Sequence, residues 1–386
     1  MNPRERVLLA LNHQEPDRIP IDLGATIVSS ITRRAYIDLK AHLGMPLEEI
    51  TMLDNVQQLP YVDEALMERF DVDFRLVQMP AATAPGLEVF QEGDYYAFID
   101  RWGSKLHMPV DGGLYYDWVD FPFTETTMQA LEAYHWPRPD PREYNLQLKA
   151  QAKSLYENTD YALVGSAVIG GGIFEQPART IGLQNFFMAL IQEPRFADAL
   201  MERITDIYIE SCNNYLDELG QYLHVFTFWD DVCGQDGWLI RPDLYRKMIK
   251  PKQRRLVEAI KKKTDARLFY HSCGATFDLV PDLIDLGFDI LNPVQVSARG
   301  MDTKRLKQEF GQDIVFWGGI DTQHVLPFGN PQEVVDEVKH RIDDLAPGGG
   351  FVFATVHNIQ AFVPPENIVA AFDTALAYGQ YSKNQD

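Results

Sequence analysis

The chain has 386 residues, enough for one large domain or two modest ones, and 46% of them are hydrophobic, which supplies a substantial core and excludes an intrinsically disordered protein. Its 35 basic and 56 acidic residues leave a formal charge of −21, which disfavours nucleic acid and anionic membranes as partners. No apolar run approaches the ~20 residues of a bilayer crossing, the N-terminus lacks the long apolar stretch of a signal peptide, and three cysteines make no disulfide framework, so a cytoplasmic protein is expected.

A first strand is predicted at Arg18–Leu23. The stretch from about 50 to 160 differs from the rest, being rich in aromatics, proline and acidic residues, with hairpin-like pieces such as LEVFQEGDYYAFIDRWGSKLHMP. It is expected to be an insertion or cap over the mouth of a barrel, with a small antiparallel sheet. Short β-rich runs then recur at 162–170, 224–231, 267–274, 289–295, 314–321 and 351–358, separated by segments with helical periodicity. Strands alternating with helices imply parallel pairing through right-handed crossovers. The predicted fold is a TIM (β/α)8 barrel, one domain over 1–386. It is preferred to a doubly wound sheet because no Gly-rich dinucleotide fingerprint follows the first strand and the polar residues of interest fall at strand C-terminal ends, where barrel active sites are built.

Within RLFYHSCG, His271 and Cys273 stand two apart at a strand end, so both side chains face one side. Imidazole nitrogen and thiolate sulfur are preferred zinc ligands, although a buried cysteine beside a hydrogen-bonded histidine gives the same pattern. His357 closes the strand FVFATVH and belongs at the same rim. Three ligands leave a fourth position open, the mark of a catalytic zinc; a polar residue bonding within a loop is the competing reading. Asp230 and Asp231 end HVFTFWDD, and adjacent residues diverge, so one of them faces the mouth. Asp231 is the choice for a catalytic or positioning carboxylate, against a helix cap or Asx-turn. Gln295, Asp321, Glu175 and Asn358 are the candidate substrate contacts. Cys212 and the aromatics Phe228, Trp229, Phe316 and Trp317 read as packing.

At these residues the chain resembles the uroporphyrinogen decarboxylase superfamily. The resemblance is carried by GWLIRPDLYRKMIKPKQRRL, HSCGATFDLVPDLIDLGFDILNPVQ, FWGGIDTQHVLPFGNPQEVVDEV and PGGGFVFATVHNIQAFVPPENI, with RERVLLALNHQEPDRIPID similar to its opening helix and first strand. The decarboxylases proper need no metal and hold a propionate-rich tetrapyrrole with an arginine-rich N-terminal signature. Here the corresponding LGATIVSSITRRAY lacks that signature. The other branch comprises zinc-dependent methyltransferases that work with corrinoid (cobalamin) proteins, and its coenzyme M enzymes use a His-x-Cys…Cys motif. His271 and Cys273 match its first two positions, and His357 stands in place of the second cysteine. Two imidazoles and one thiolate put less negative charge on Zn2+, which favours an oxygen-bound methyl group over a thiol. The resemblance therefore implies a zinc methyltransferase exchanging a methyl group between a small, methoxylated substrate and a corrinoid protein, in a homodimer. The alternatives are a metal-free decarboxylase-like carboxy-lyase and a non-catalytic corrinoid- or tetrapyrrole-binding protein.

Overall fold

Seven short strands form one parallel sheet in chain order: β1 (Phe74–Val77), β2 (Ala162–Gly165), β3 (Val225–Trp229), β4 (Arg267–His271), β5 (Ile290–Asn292), β6 (Val315–Trp317) and β7 (Phe351–Val352). The structure, a computed structural model, describes residues 1–78, 88–140, 142–166 and 170–381. The predicted first strand joins the two sheet edges. Asp22 N donates to Phe353 O and Phe353 N to Pro20 O, while Asp73 N donates to Ile21 O, each at 2.9 Å. One segment thus pairs with β7 on one side and β1 on the other, closing a TIM-type α/β barrel.

The strand β1 lies inside the stretch expected to form the cap. It is four residues long and carries Arg75 in its middle, so it shows no apolar run. That guanidinium is buried on the Tyr161 ring, 3.4 Å from its centroid, and pairs with Glu64. The antiparallel sheet read from the hairpin pattern is narrower than the expected insertion. It has four strands, Phe90–Glu92, Tyr95–Ile99, Lys105–Pro109 and Asp117–Asp120, paired as a meander. Part of the run predicted at 162–170, residues 167–169, lies outside the described residues. Among the described residues no helix is long and apolar enough to cross a membrane.

Strand parity decides what reaches the barrel interior. Val225, Phe269, Ile290, Val315, Trp317 and Val352 pack inside the barrel with Val7 and Leu11 of the N-terminal helix Pro3–Leu11, which plugs one end. Phe226, Phe228, Leu268, Tyr270, Leu291 and Phe316 face the surrounding helices. Two residues beyond Phe269, the same parity turns His271 inward at the opposite end of β4.

Barrel closure depends on a buried carboxylate. Asp73, fully buried just before β1, accepts from Ile21 N at 2.7 Å, from Arg18 Nη1 at 2.8 Å and from Arg6 Nη1 at 2.6 Å. It ties the N-terminal helix and the first strand to β1. Asp73→Ala leaves two buried guanidiniums short of their counter-charge, and the expected loss of stability is about 3–5 kcal/mol in urea unfolding. A loss under about 1 kcal/mol would show that closure does not depend on this carboxylate.

Candidate metal centre

The ends of β4 and β7 bring three ligand-type side chains together. Donor atoms of His271, Cys273 and His357 all lie within 4.8 Å of one another, and Cys273 Sγ is 3.5 Å from His271 Nε2. Cys273 reaches this position because the chain turns sharply at Gly274, whose φ of +99° suits glycine and where a Cβ would meet Gly234 O at 2.5 Å. His357 follows β7 on an extended segment in which Thr355 bridges Ile320.

His271 is oriented from behind. Its Nδ1 lies 2.6 Å from Asn292 Oδ1, and the Asn292 amide donates to Trp317 O at 3.0 Å, which fixes the amide so that its oxygen faces the ring. Nδ1 therefore carries the proton, and Nε2 presents its lone pair to Cys273 and His357. Neither His357 ring nitrogen has a hydrogen-bond partner among the described residues. Burial lowers the pKa of His271, and burial followed by the proximity of His271 lowers that of His357 to about 3, so both imidazoles stay neutral and able to ligate. Burial, then Asp231 and Glu175, raises the Cys273 thiol well above its ordinary range. A cation at this spot would reverse that preference and favour the thiolate. Two neutral imidazoles and a thiol at this spacing fit the donor set of a zinc site with one position left over.

The two aspartates after β3 diverge. Asp230 is fully buried and accepts from the backbone N–H groups of Phe174 and Glu175 at 3.0 Å and from Gln253 Nε2 at 2.9 Å, so it caps the helix Glu175–Ile181. Gly172 makes room for it, since a Cβ there would lie 2.2 Å from Asp230 Cγ. Asp231 instead faces the cavity, accepts from Cys273 N at 2.7 Å and stands 3.9 Å from His271 Nε2. Its side chain is 35% exposed, and partial enclosure followed by the charge of Glu175 pushes its pKa up to about 8.

The cavity in front of these residues measures about 610 Å³ and also contains Glu175 and Arg179. Arg179 bonds Glu175 at 3.0 Å and lies over the Trp118 ring at 4.5 Å. Trp118 and Phe98 of the antiparallel sheet, with the nearby Trp102, wall it from above, and Trp229 of β3 lines it rather than packing in the core as its neighbours do.

Three of the four expected substrate contacts are engaged elsewhere. Gln295 accepts from Gly274 N at 2.6 Å, Asp321 accepts from Gln323 N at 2.7 Å and His324 N at 3.1 Å, and Asn358 accepts from Ser30 N at 2.7 Å while donating to Ile27 O. Their side chains satisfy backbone groups in the rim loops, a need that any polar residue after a barrel strand can meet. Glu175 alone of the four lines the cavity. Asn292, Arg179 and the tryptophans of the cavity wall are absent from the sequence-based candidates. Asn292 had a signal, because it closes its strand in register with His271.

The model of the family described as "Uroporphyrinogen decarboxylase (URO-D)" matches residues 119–378, two-thirds of the chain. The chain belongs to the uroporphyrinogen decarboxylase family. One relative, "Uroporphyrinogen decarboxylase" of Geobacter metallireducens, is 26% identical over 284 residues, covering 69% of this chain and 76% of the relative. A second, of Geobacter sulfurreducens, is 25% identical over 177 residues, covering 44% and 46%, so the chain spans about half the length of that relative. A solved "methyltransferase from Methanosarcina mazei" superposes with a TM-score of 0.65 over 98% of this chain and 99% of the other at 17% identity, a likeness of fold.

If Asn292 orients the His271 ligand, Asn292→Ala should weaken zinc binding by about 10–100-fold in a chelator competition, with circular dichroism unchanged. Unaltered affinity would show that the ring is held without it.

Proposed function

We propose that this family member is a zinc-dependent methyltransferase that moves a methyl group from a small methoxylated substrate to a corrinoid carried on a separate protein. The observation that supports this most is the cluster of His271, Cys273 and His357 opening on an aromatic-walled cavity. A metal-free decarboxylation of a polycarboxylate is less well supported. The two arginines lining the cavity, Arg101 and Arg179, are each paired with a carboxylate of the same wall, and a substrate rich in carboxylates needs free guanidiniums.

His271, Cys273 and His357 would hold the zinc. When bound, it supplies a Lewis acid at its open position, which stabilises the negative charge developing on the departing oxygen. The other residues position and enclose. Asn292 holds the His271 ring, and Asp231 fixes the Cys273 backbone while presenting a carboxyl edge to the donor. Trp102, Trp118 and Trp229 exclude water and give an aromatic ring flat surfaces. On cleavage of the carbon–oxygen bond the electron pair would stay on oxygen, and the chemistry supplied by a reduced corrinoid would be the electron pair for the new bond to the methyl carbon. The corrinoid protein docks over the barrel mouth, the end at which β3, β4 and β7 deliver these side chains.

Purified protein should contain about one zinc per chain, and His357→Ala should lose it. Methyl transfer from methoxylated donors to cob(I)alamin, followed by the corrinoid absorbance, should fall at least about 100-fold in that variant. Metal-free protein that releases CO2 from a carboxylated substrate would contradict the reading and restore the decarboxylase alternative.

A further inference from the structure

The charge of the cavity wall bears on the donor. Six acidic side chains line it, those of Asp54, Asp100, Asp117, Asp140, Glu175 and Asp231, against the guanidiniums of Arg101 and Arg179. Both guanidiniums are already neutralised: Arg101 bonds Asp140 at 2.9 Å and Arg138 O at 3.0 Å, and Arg179 bonds Glu175 at 3.0 Å. Asp54, Asp100 and Asp117 have no lysine or arginine within ion-pair distance among the described residues. Asp54 accepts from the backbone N–H of Gln57 at 2.7 Å, and Asp100 from those of Trp102 and Ser104 at 2.9 Å, with the Trp118 indole beside it. Burial lifts both carboxyls above their ordinary range, a strain that an entering cation or hydrogen-bond donor relieves and an entering anion worsens.

Arg179 arises from the helix that Glu175 opens. Its guanidinium is held twice, by the Glu175 carboxylate at one edge and by the Trp118 face at 4.5 Å. In this arrangement its positive charge is engaged by Glu175 and acts on the other wall carboxyls, Asp54, Asp100 and Asp231, before it meets an incoming molecule.

We propose that the cavity selects a methylated aromatic donor bearing hydroxyl or amino substituents and rejects one bearing a carboxylate, and that the Glu175–Arg179 pair sets this choice. The proposal deepens the methyl-transfer reading by naming the donor's class, but its binding step stands apart from the reaction. The neutral or cationic substituent meets the unpaired carboxylates, and the ring lies against Trp102 and Trp229. Removing the Glu175 charge would both subtract a carboxylate and release Arg179 to meet an anion.

Calorimetric titration of the zinc-loaded protein at pH 7 with 3-methoxyphenol, 3-methoxybenzylamine and 3-methoxybenzoate tests this. The benzoate should bind at least about tenfold more weakly than the phenol, and the amine at least as tightly as the phenol. Glu175→Gln should narrow the benzoate–phenol gap by about tenfold. Should that variant fail to fold, Asp117→Asn, on the exposed antiparallel sheet, should narrow the gap by about threefold. Equal affinity for benzoate and phenol, an unchanged gap in the folded variant, or no binding of any of the three overturns the proposal. The expected order without methyl transfer to cob(I)alamin would uphold the charge selection and remove the methyl-transfer reading.

Discussion

The contact between His271 Nδ1 and Asn292 Oδ1 fixes which nitrogen of a buried imidazole faces the cavity, and the candidate centre follows from it. That contact exists because β4 and β5 run parallel with His271 and Asn292 as partners, and because Trp317 O at the end of β6 pins the amide. Three neighbouring strand ends thus cooperate to present one lone pair. Their register depends in turn on a closed barrel, and closure draws on the buried Asp73 and its two arginines. A carboxylate beside the first strand and a candidate ligand, His271, at the opposite end of the sheet are linked through strand register.

Electrostatics divides the work between neighbouring residues of like chemistry. Asp230 and Asp231 are adjacent, but strand parity sends one into the helix layer as a cap and the other into the cavity. Asp230 thereby places Glu175 at the start of its helix, and Glu175 neutralises Arg179 while adding to the rise that burial imposes on the pKa of both aspartates. The wall is left with more negative charge than positive, and its aromatic surfaces supply contact area without charge. This combination fits a small aromatic ether better than a polyanion, even though the family takes its name from a decarboxylase.

Much of the barrel was legible because its strands alternate with amphipathic helices from residue 162 onward, and because strand-end chemistry is visible as HSC, WDD and TVH. The first strand could be read from Arg18–Leu23. The strand β1 could not, since Arg75 interrupts four residues and is tolerated only through Tyr161 and Glu64. Likewise, a polar side chain at a strand end looks the same in sequence whether it meets a ligand or a loop amide. Gln295, Asp321 and Asn358 proved to do the latter. Asn292 and Arg179 gain their roles only from neighbours distant in the chain, Trp317 and Trp118, which no local pattern joins.

The proposed centre is a zinc held by His271, His357 and Cys273 with a position to spare. X-ray absorption at the zinc K-edge of the purified protein tests this directly. The predicted spectrum shows one sulfur at about 2.3 Å and two imidazole nitrogens at about 2.0–2.1 Å, with a light atom in the fourth place that changes when a methoxylated donor is added. A spectrum without sulfur, or one with only oxygen ligands, would contradict it.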